Sequence, residues 1–152
     1  MTPEEKLQEM GLEIPEVAEP VAAYVPGVKA DGLLHISGQI PFVDGELEYT
    51  GKVESEVSVD EAYEAARICC LNGIGVIKSE LGELCRVKRI VKISGYVNSD
   101  PEFTGQSQVV NGASDLLGEV FGEAGSHARA AVGMASLPLG AAVEVEFLVQ
   151  FD

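Results

Sequence analysis

Apolar and polar residues alternate along this chain in two rhythms, and the rhythms mark out its elements. In "VAAYVPGVKADGLLHISGQIP" the alternation is twofold on both sides of Ala30-Asp31-Gly32, which predicts two strands joined by a tight hairpin. "FVDGELEYTGKVES" is polar and reads as a loop, with a small hairpin at Asp44-Gly45. The spacing then changes to a helical one in "SVDEAYEAARICCLNGIGVIKSELG". There Ala62, Ala66, Cys69, Ile74, Ile77 and Leu81 fall along one face, Ser58 with Glu61 forms a capping box, and Gly82 supplies the stop. Gly73 and Gly75 inside this helix each cost about 1 kcal/mol relative to Ala, so close packing is expected there.

Twofold alternation returns in "RVKRIVKISGYVNS", a strand with Val87, Arg89, Val91, Ile93, Gly95 and Val97 on one side. "SDPEFTGQSQVVNGASDLLGEVFGEAG" is a second long helix, expected over about residues 101–123 and starting from Asp100 or Ser99. Two strands close the chain. Ahead of all this, Thr2, Pro3, Glu5 and Gly11 have the spacing of an N-cap, first-turn proline, capping-box acid and helix stop, and "EIPEVAEP" is a connector. Residues 1–19 therefore form an N-terminal helix and connector, and residues 20–152 the main domain. The order predicts an α+β domain, with both long helices on one face of a mixed sheet.

The parity of the last two strands bears on chemistry. In "RAAVGMA", Arg129, Ala131, Gly133 and Ala135 share one side and Ala130, Val132 and Met134 the other. In "VEVEFLVQF", Val143, Val145, Phe147, Val149 and Phe151 oppose Glu144, Glu146, Leu148 and Gln150. Placing the bulkier set (Val91, Val132, Val143, Val145) under the helices sends Arg129 and Glu144 to the other face. That face would also carry Ala131, Gly133, Ala135, Leu148, Ile90 and Tyr96, too apolar for bulk solvent, so a partner subunit is the expected cover. In such a seam a guanidinium binds a carboxylate through two parallel hydrogen bonds. On the residues alone, a structural ion pair between Arg129 and Glu144 is an equal alternative.

Composition narrows the classes. The chain has 152 residues, enough for one domain with its own core, and a 46% hydrophobic share typical of globular proteins. Ten Lys and Arg against 25 Asp and Glu leave a net charge of −15, which argues against a phosphate-tracking surface and against nucleic acid as a partner. The N-terminus lacks an apolar signal region, and no run reaches the roughly 18 apolar residues of a membrane span. Cys69, Cys70 and Cys85 have no metal-ligand spacing and read as reduced core thiols of a cytoplasmic protein. His35 and His127 do not form a metal pair, and each reads as a structural strand histidine. Ser37 has no nucleophile-elbow spacing, and the glycines of "NGIG" and "GEVFGEAG" sit in or at the ends of helices rather than in a phosphate loop.

"YVPGV", "HISGQIP", "VKISGYVNS" and "HARAAVGMASLPLGAAVEVEF", in this order with these helices, resemble the RidA (YjgF) family over about residues 20–151. The resemblance implies a chorismate-mutase-like fold assembled as a homotrimer with clefts between subunits. It also implies a cofactor-independent hydrolase acting on reactive imines or enamines, of the 2-aminoacrylate or 2-iminobutyrate type, to give 2-oxo acids and ammonia. Its partner would be a small carboxylate-bearing imine or oxo acid, and neither a metal nor an organic cofactor is implied. By position Arg129 would hold the substrate carboxylate, Glu144 would orient the attacking water, and Tyr24, Ser37, Gly38 and Asn111 would line the cleft. Two positions depart from many relatives: His127 stands where they carry Pro, and Ala131 where they carry Cys. A trimer that binds metabolites without turnover, or acts as a chaperone, is the alternative reading. The endoribonuclease or translation-inhibitor label common in the family sits poorly with the acidic charge.

Overall fold

Local signals set the helix ends. The computed structural model describes residues 1–17 and 22–152, so the boundary expected at residues 19–20 and the first residue of the expected first strand lie outside the described residues. Helix α1 (Pro3–Glu9) starts at Thr2, whose hydroxyl accepts from the Glu5 amide while the Glu5 carboxylate accepts from the Thr2 amide. Helix α2 (Val59–Leu81) repeats the device with Ser58 and Glu61. Strands β1 (Gly27–Ala30) and β2 (Leu33–Gln39) meet at Asp31 and Gly32, with φ of 51° and 75°. Asp44 and Gly45 make the same turn between the short strands β3 (Phe42–Val43) and β4 (Glu46–Leu47). Both are Asp-Gly turns of the mirror-image kind that matches strand twist.

Strand β5 (Val87–Asn98), helix α3 (Gln106–Phe121), strand β6 (Ala128–Met134) and strand β7 (Val143–Phe151) complete the chain. Helix α3 begins later than the sequence suggests. Asp100 serves elsewhere, accepting from the amide and hydroxyl of Ser55, and Phe103 is buried within the irregular stretch that precedes the helix. The main sheet has the order β1-β2-β7-β5-β6, antiparallel throughout except for the parallel pair β5–β6. It is a mixed sheet in an α+β fold, with three α-helices among the described residues.

Both long helices cover one face. A Cβ on Gly73 of α2 would meet the Phe147 ring at 2.5 Å, and one on Gly95 of β5 would run into Val110 of α3. Gly95 and Phe147 have the same parity, since Gly95 pairs with Val145. Gly75 brings Pro15 of the connector to within 2.6 Å of where its own Cβ would lie, which accounts for the second helical glycine. Leu7 of α1 is buried in the same core, and Glu4 accepts from Lys78 Nζ at 2.9 Å and from the Leu84 amide at 2.8 Å. Among the described residues no helix is long and apolar enough to cross a membrane.

Two expectations about parity are corrected. Strand β5 is irregular between Val87 and Arg89 and again between Ile90 and Lys92, so Val87, Ile90 and Ile93 all turn inward, and Arg89 is exposed. Ile90 therefore belongs to the helix side. On β6 the phase is inverted. Arg129 pairs with Ile93, Ala131 with Gly95 and Gly133 with Val97, so the small residues face α3, and Val132 and Met134 are exposed on the open face. Bulk misleads there because α3 passes close over this strand: a Cβ on Gly133 would sit 2.9 Å from Gln106 Nε2. Cys69 and Cys70 are core thiols as expected, but Cys85 is exposed in the short turn before β5.

Candidate active site

Arg129 rises from β6 onto α3. Its Nη1 donates to Ser114 Oγ at 3.0 Å and its Nη2 to the Ser107 carbonyl at 3.1 Å. Asn111 stands four residues after Ser107 and three before Ser114, on the same exposed helix stripe. Ser114 in turn contacts His127 Nε2 at 2.8 Å, and His127 Nδ1 lies 2.7 Å from the Gly125 carbonyl. A guanidinium has five N–H donors, so three remain after these two bonds, enough for a bidentate carboxylate. Among the described residues Arg129 has no carboxylate within salt-bridge distance. The ion-pair alternative with Glu144 is excluded within one chain, and so is the shared face.

Glu144 lies on the open face of β7, directly across from Tyr96 of β5. It is half-buried, and burial raises its carboxyl above the usual range, with repulsion from Glu146 adding to the effect. Tyr96 Oη donates to Glu146 Oε1 at 2.6 Å, and that bond, followed by burial, raises the phenol. Gly38 is the floor under Glu144: a Cβ there would lie 2.8 Å from the Glu144 carboxyl carbon. Ser37 acts through structure, its hydroxyl donating to the Val25 carbonyl at 2.7 Å and its amide to the Pro26 carbonyl at 2.9 Å. It thereby ties down the loop that exposes Tyr24, a residue 51% accessible.

The candidate residues thus form two groups. Arg129 and Asn111 belong to the β6–α3 edge and the helix side, whereas Glu144 is on the open side of β7, Gly38 and Ser37 are on the neighbouring β2, and Tyr24 is exposed on the loop that Ser37 holds. With β5 between them and three residues of register, the Arg129 and Glu144 backbones are about 14 Å apart. The cleft between Ile14–Val17 and α2 contains neither residue, and neither does the cleft beside Gly133 at the end of β6.

Sequence reasoning missed Ser107, Ser114, Tyr96 and Glu146. The serines could have been found, since Ser107, Asn111 and Ser114 recur at helical spacing as a polar stripe. His127 was read as structural, and its contact with Ser114 links it to the arginine.

The sequence model of the family described as "YjgF/chorismate_mutase-like, putative endoribonuclease" matches residues 4–150. The chain is 48% identical to Protein TCP17 of Trypanosoma cruzi over 96% of its own length and 92% of that protein's. The crystal structure of Atu1372 from Agrobacterium tumefaciens, a protein of unknown function, is similar with a TM-score of 0.93 at 44% identity, covering 99% of this chain and 92% of that one. RidA from the Antarctic bacterium Psychrobacter sp. PAMC 21119 is similar with a TM-score of 0.63 at 25% identity, covering 90% and 94%. With the fold, the arginine strand and a match spanning almost the whole chain, this protein belongs to the YjgF/RidA family.

Proposed function

We propose that the protein hydrolyses reactive 2-imino and enamine acids to 2-oxo acids and ammonia, in sites that close between the subunits of a homotrimer. The carrying observation is Arg129, a half-buried cation held by α3 without a carboxylate partner among the described residues of an acidic chain. Such a group favours a small anionic ligand and disfavours a polyphosphate, which the surrounding −15 charge would repel.

The chemistry asks little beyond positioning. Arg129 holds the substrate carboxylate in its planar fork. Glu144, ionised above its raised pKa, takes a proton from water as the oxygen bonds to the imine carbon and the C=N electron pair moves to nitrogen. The same carboxyl then returns the proton to nitrogen. A second transfer through the same carboxyl takes the hydroxyl proton of the adduct to the amino nitrogen, the C–N bond breaks and ammonia leaves as the C=O bond forms, so imino acid and water become oxo acid and ammonia. Enzymes that release enamines from amino acids in the cytoplasm would supply the substrate.

Two half-sites on opposite faces need a second copy to complete them. A head-to-tail contact that brings the β6–α3 edge of one subunit to the open face of the next forms a closed ring when its rotation closes. Family resemblance sets that ring at three. The exposed Val132 and Met134 supply apolar surface for the contact, replacing the Ala131 and Gly133 expected from sequence.

Ammonia release from freshly generated 2-iminobutyrate, with and without the protein, tests the reading. Arg129→Lys keeps the charge but loses the fork, and turnover should fall about tenfold or more. Arg129→Ala should nearly abolish it. Wild-type turnover by the alanine variant would make Arg129 structural and defeat the proposal.

A further inference from the structure

Arg129 is the first member of a hydrogen-bonded chain whose two ends fix every proton between them. At one end the guanidinium can only donate. At the other the Gly125 carbonyl can only accept. The Gly125 carbonyl, 2.7 Å from His127 Nδ1, requires that nitrogen to carry the proton. In the neutral ring Nε2 is then an acceptor, 2.8 Å from Ser114 Oγ, so the hydroxyl proton points at it. That leaves the serine lone pairs for Arg129 Nη1, at 3.0 Å, and the order runs arginine to serine to histidine to carbonyl.

We propose that Ser114 and His127 are positioning residues for Arg129, a role that rests on the carboxylate-binding reading of that arginine. Nη2 is fixed separately by the Ser107 carbonyl, so the two bonds together set the plane of the guanidinium. Losing either lets a long side chain sweep through rotamers and weakens its grip on a planar ligand. His127 acts at one remove: by accepting the Ser114 proton it keeps that hydroxyl turned so that its lone pairs face the arginine.

The test uses the intact protein and 2-oxobutyrate, the product of 2-iminobutyrate hydrolysis, which keeps the carboxylate, with affinity read by calorimetry and turnover read on 2-iminobutyrate. Ser114→Ala should weaken 2-oxobutyrate binding and raise KM by about tenfold, the scale of one charge-assisted hydrogen bond, while kcat changes far less. Ser114→Thr, which keeps the hydroxyl, should restore both. His127→Gln, which keeps an acceptor near the Nε2 position, should stay closer to wild type than His127→Ala. Long-range proton–nitrogen NMR on the wild type should show the Nδ1–H tautomer of His127, a readout independent of ligand and of how the variants fold. An Nε2–H tautomer overturns the proposal, and so does wild-type affinity and KM in Ser114→Ala. If Arg129→Ala also binds 2-oxobutyrate normally, the carboxylate reading fails with it. If Arg129→Ala loses binding and Ser114→Ala does not, the positioning role alone is overturned.

Discussion

Arg129 and Glu144 lie on opposite faces of one sheet: Arg129 pairs with Ile93 and points at α3, while Glu144 pairs with Tyr96 and points away from the helices. The two residues proposed to hold and attack one substrate therefore never meet within a chain. Each has its own local support, serines and a histidine for the arginine, Gly38 and the Tyr96–Glu146 pair for the glutamate.

The floor under Glu144 gives a first prediction. Gly38 has no need of a left-handed backbone, so Gly38→Ala should fold, but its methyl group would collide with the Glu144 carboxylate. Displacing a reacting group by about an ångström costs up to roughly a hundredfold in rate, so turnover of 2-iminobutyrate should fall by at least about tenfold. Circular dichroism and steady-state kinetics on the same sample check this. A Gly38→Ala protein that is folded and fully active would mean that Glu144 has no fixed catalytic geometry.

Glu144 also sets a pH dependence. Burial, and then Glu146, raise its folded-state pKa above the ordinary carboxylate value that it has in the unfolded chain. Between those two values the folded protein binds more protons than the unfolded one, so this group's contribution to stability falls as pH rises through that window. Above the window the charged carboxylate is a net cost to folding, and below it the cost vanishes. Glu144→Gln should therefore melt higher than wild type near neutral pH while losing turnover, and the gap should close in acid. Thermal melts across the acid-to-neutral range measure it; a Gln variant less stable than wild type at neutral pH would contradict the assignment.

Packing of the two long helices gives a prediction unrelated to catalysis. A Cβ on Gly112 of α3 would strike the Tyr63 carbonyl of α2 and lie 3.1 Å from the Arg67 amide nitrogen. Backbone cannot swing aside as a side chain can, so Gly112→Ala should destabilise by about 1–3 kcal/mol even though Ala is the better helix former. Urea unfolding followed by far-UV signal decides it, and an unchanged midpoint would show that the helices are not held at this distance.

What could be read from the sequence divides along the line between local and non-local causes. Thr2 with Glu5, Ser58 with Glu61, Asp31-Gly32 and Asp44-Gly45 act on neighbours within a few residues, and the structure has each where the sequence places it. The start of α3 was misread because Asp100, a good cap by type, is taken by Ser55, 45 residues away in sequence. The irregular register of β5 and the phase of β6 depend on what packs above them. By size Ala131 and Gly133 are expected on the face away from the helices, yet they face α3 because that helix comes so near. Arg129 and Glu144 were identifiable by residue type and motif. Their opposite faces were not, since the bulk alternation of β6 points the wrong way, with Val132 and Met134 on the open face and the small residues under α3.

The decisive prediction follows from those opposite faces. If each site takes Arg129 from one subunit and Glu144 from the next, two inactive variants can repair one another. Co-expressed Arg129→Ala and Glu144→Gln chains, mixed at random in a closed ring, should place an intact arginine against an intact glutamate in about a quarter of the contacts. Purification through a different tag on each chain removes the unmixed rings, and every mixed trimer has one intact contact in three, so the purified assembly should recover about a third of wild-type turnover on 2-iminobutyrate, more than either parent. Recovery should vanish when both substitutions are put on one chain and mixed with neither partner intact. If sites were closed within single chains, or if Glu144 took no part, the mixture would be no better than the average of its parents. Recovery near a third would therefore support both the composite site and the threefold ring, because a twofold dimer of one chain of each variant would have one intact site in two and recover about half.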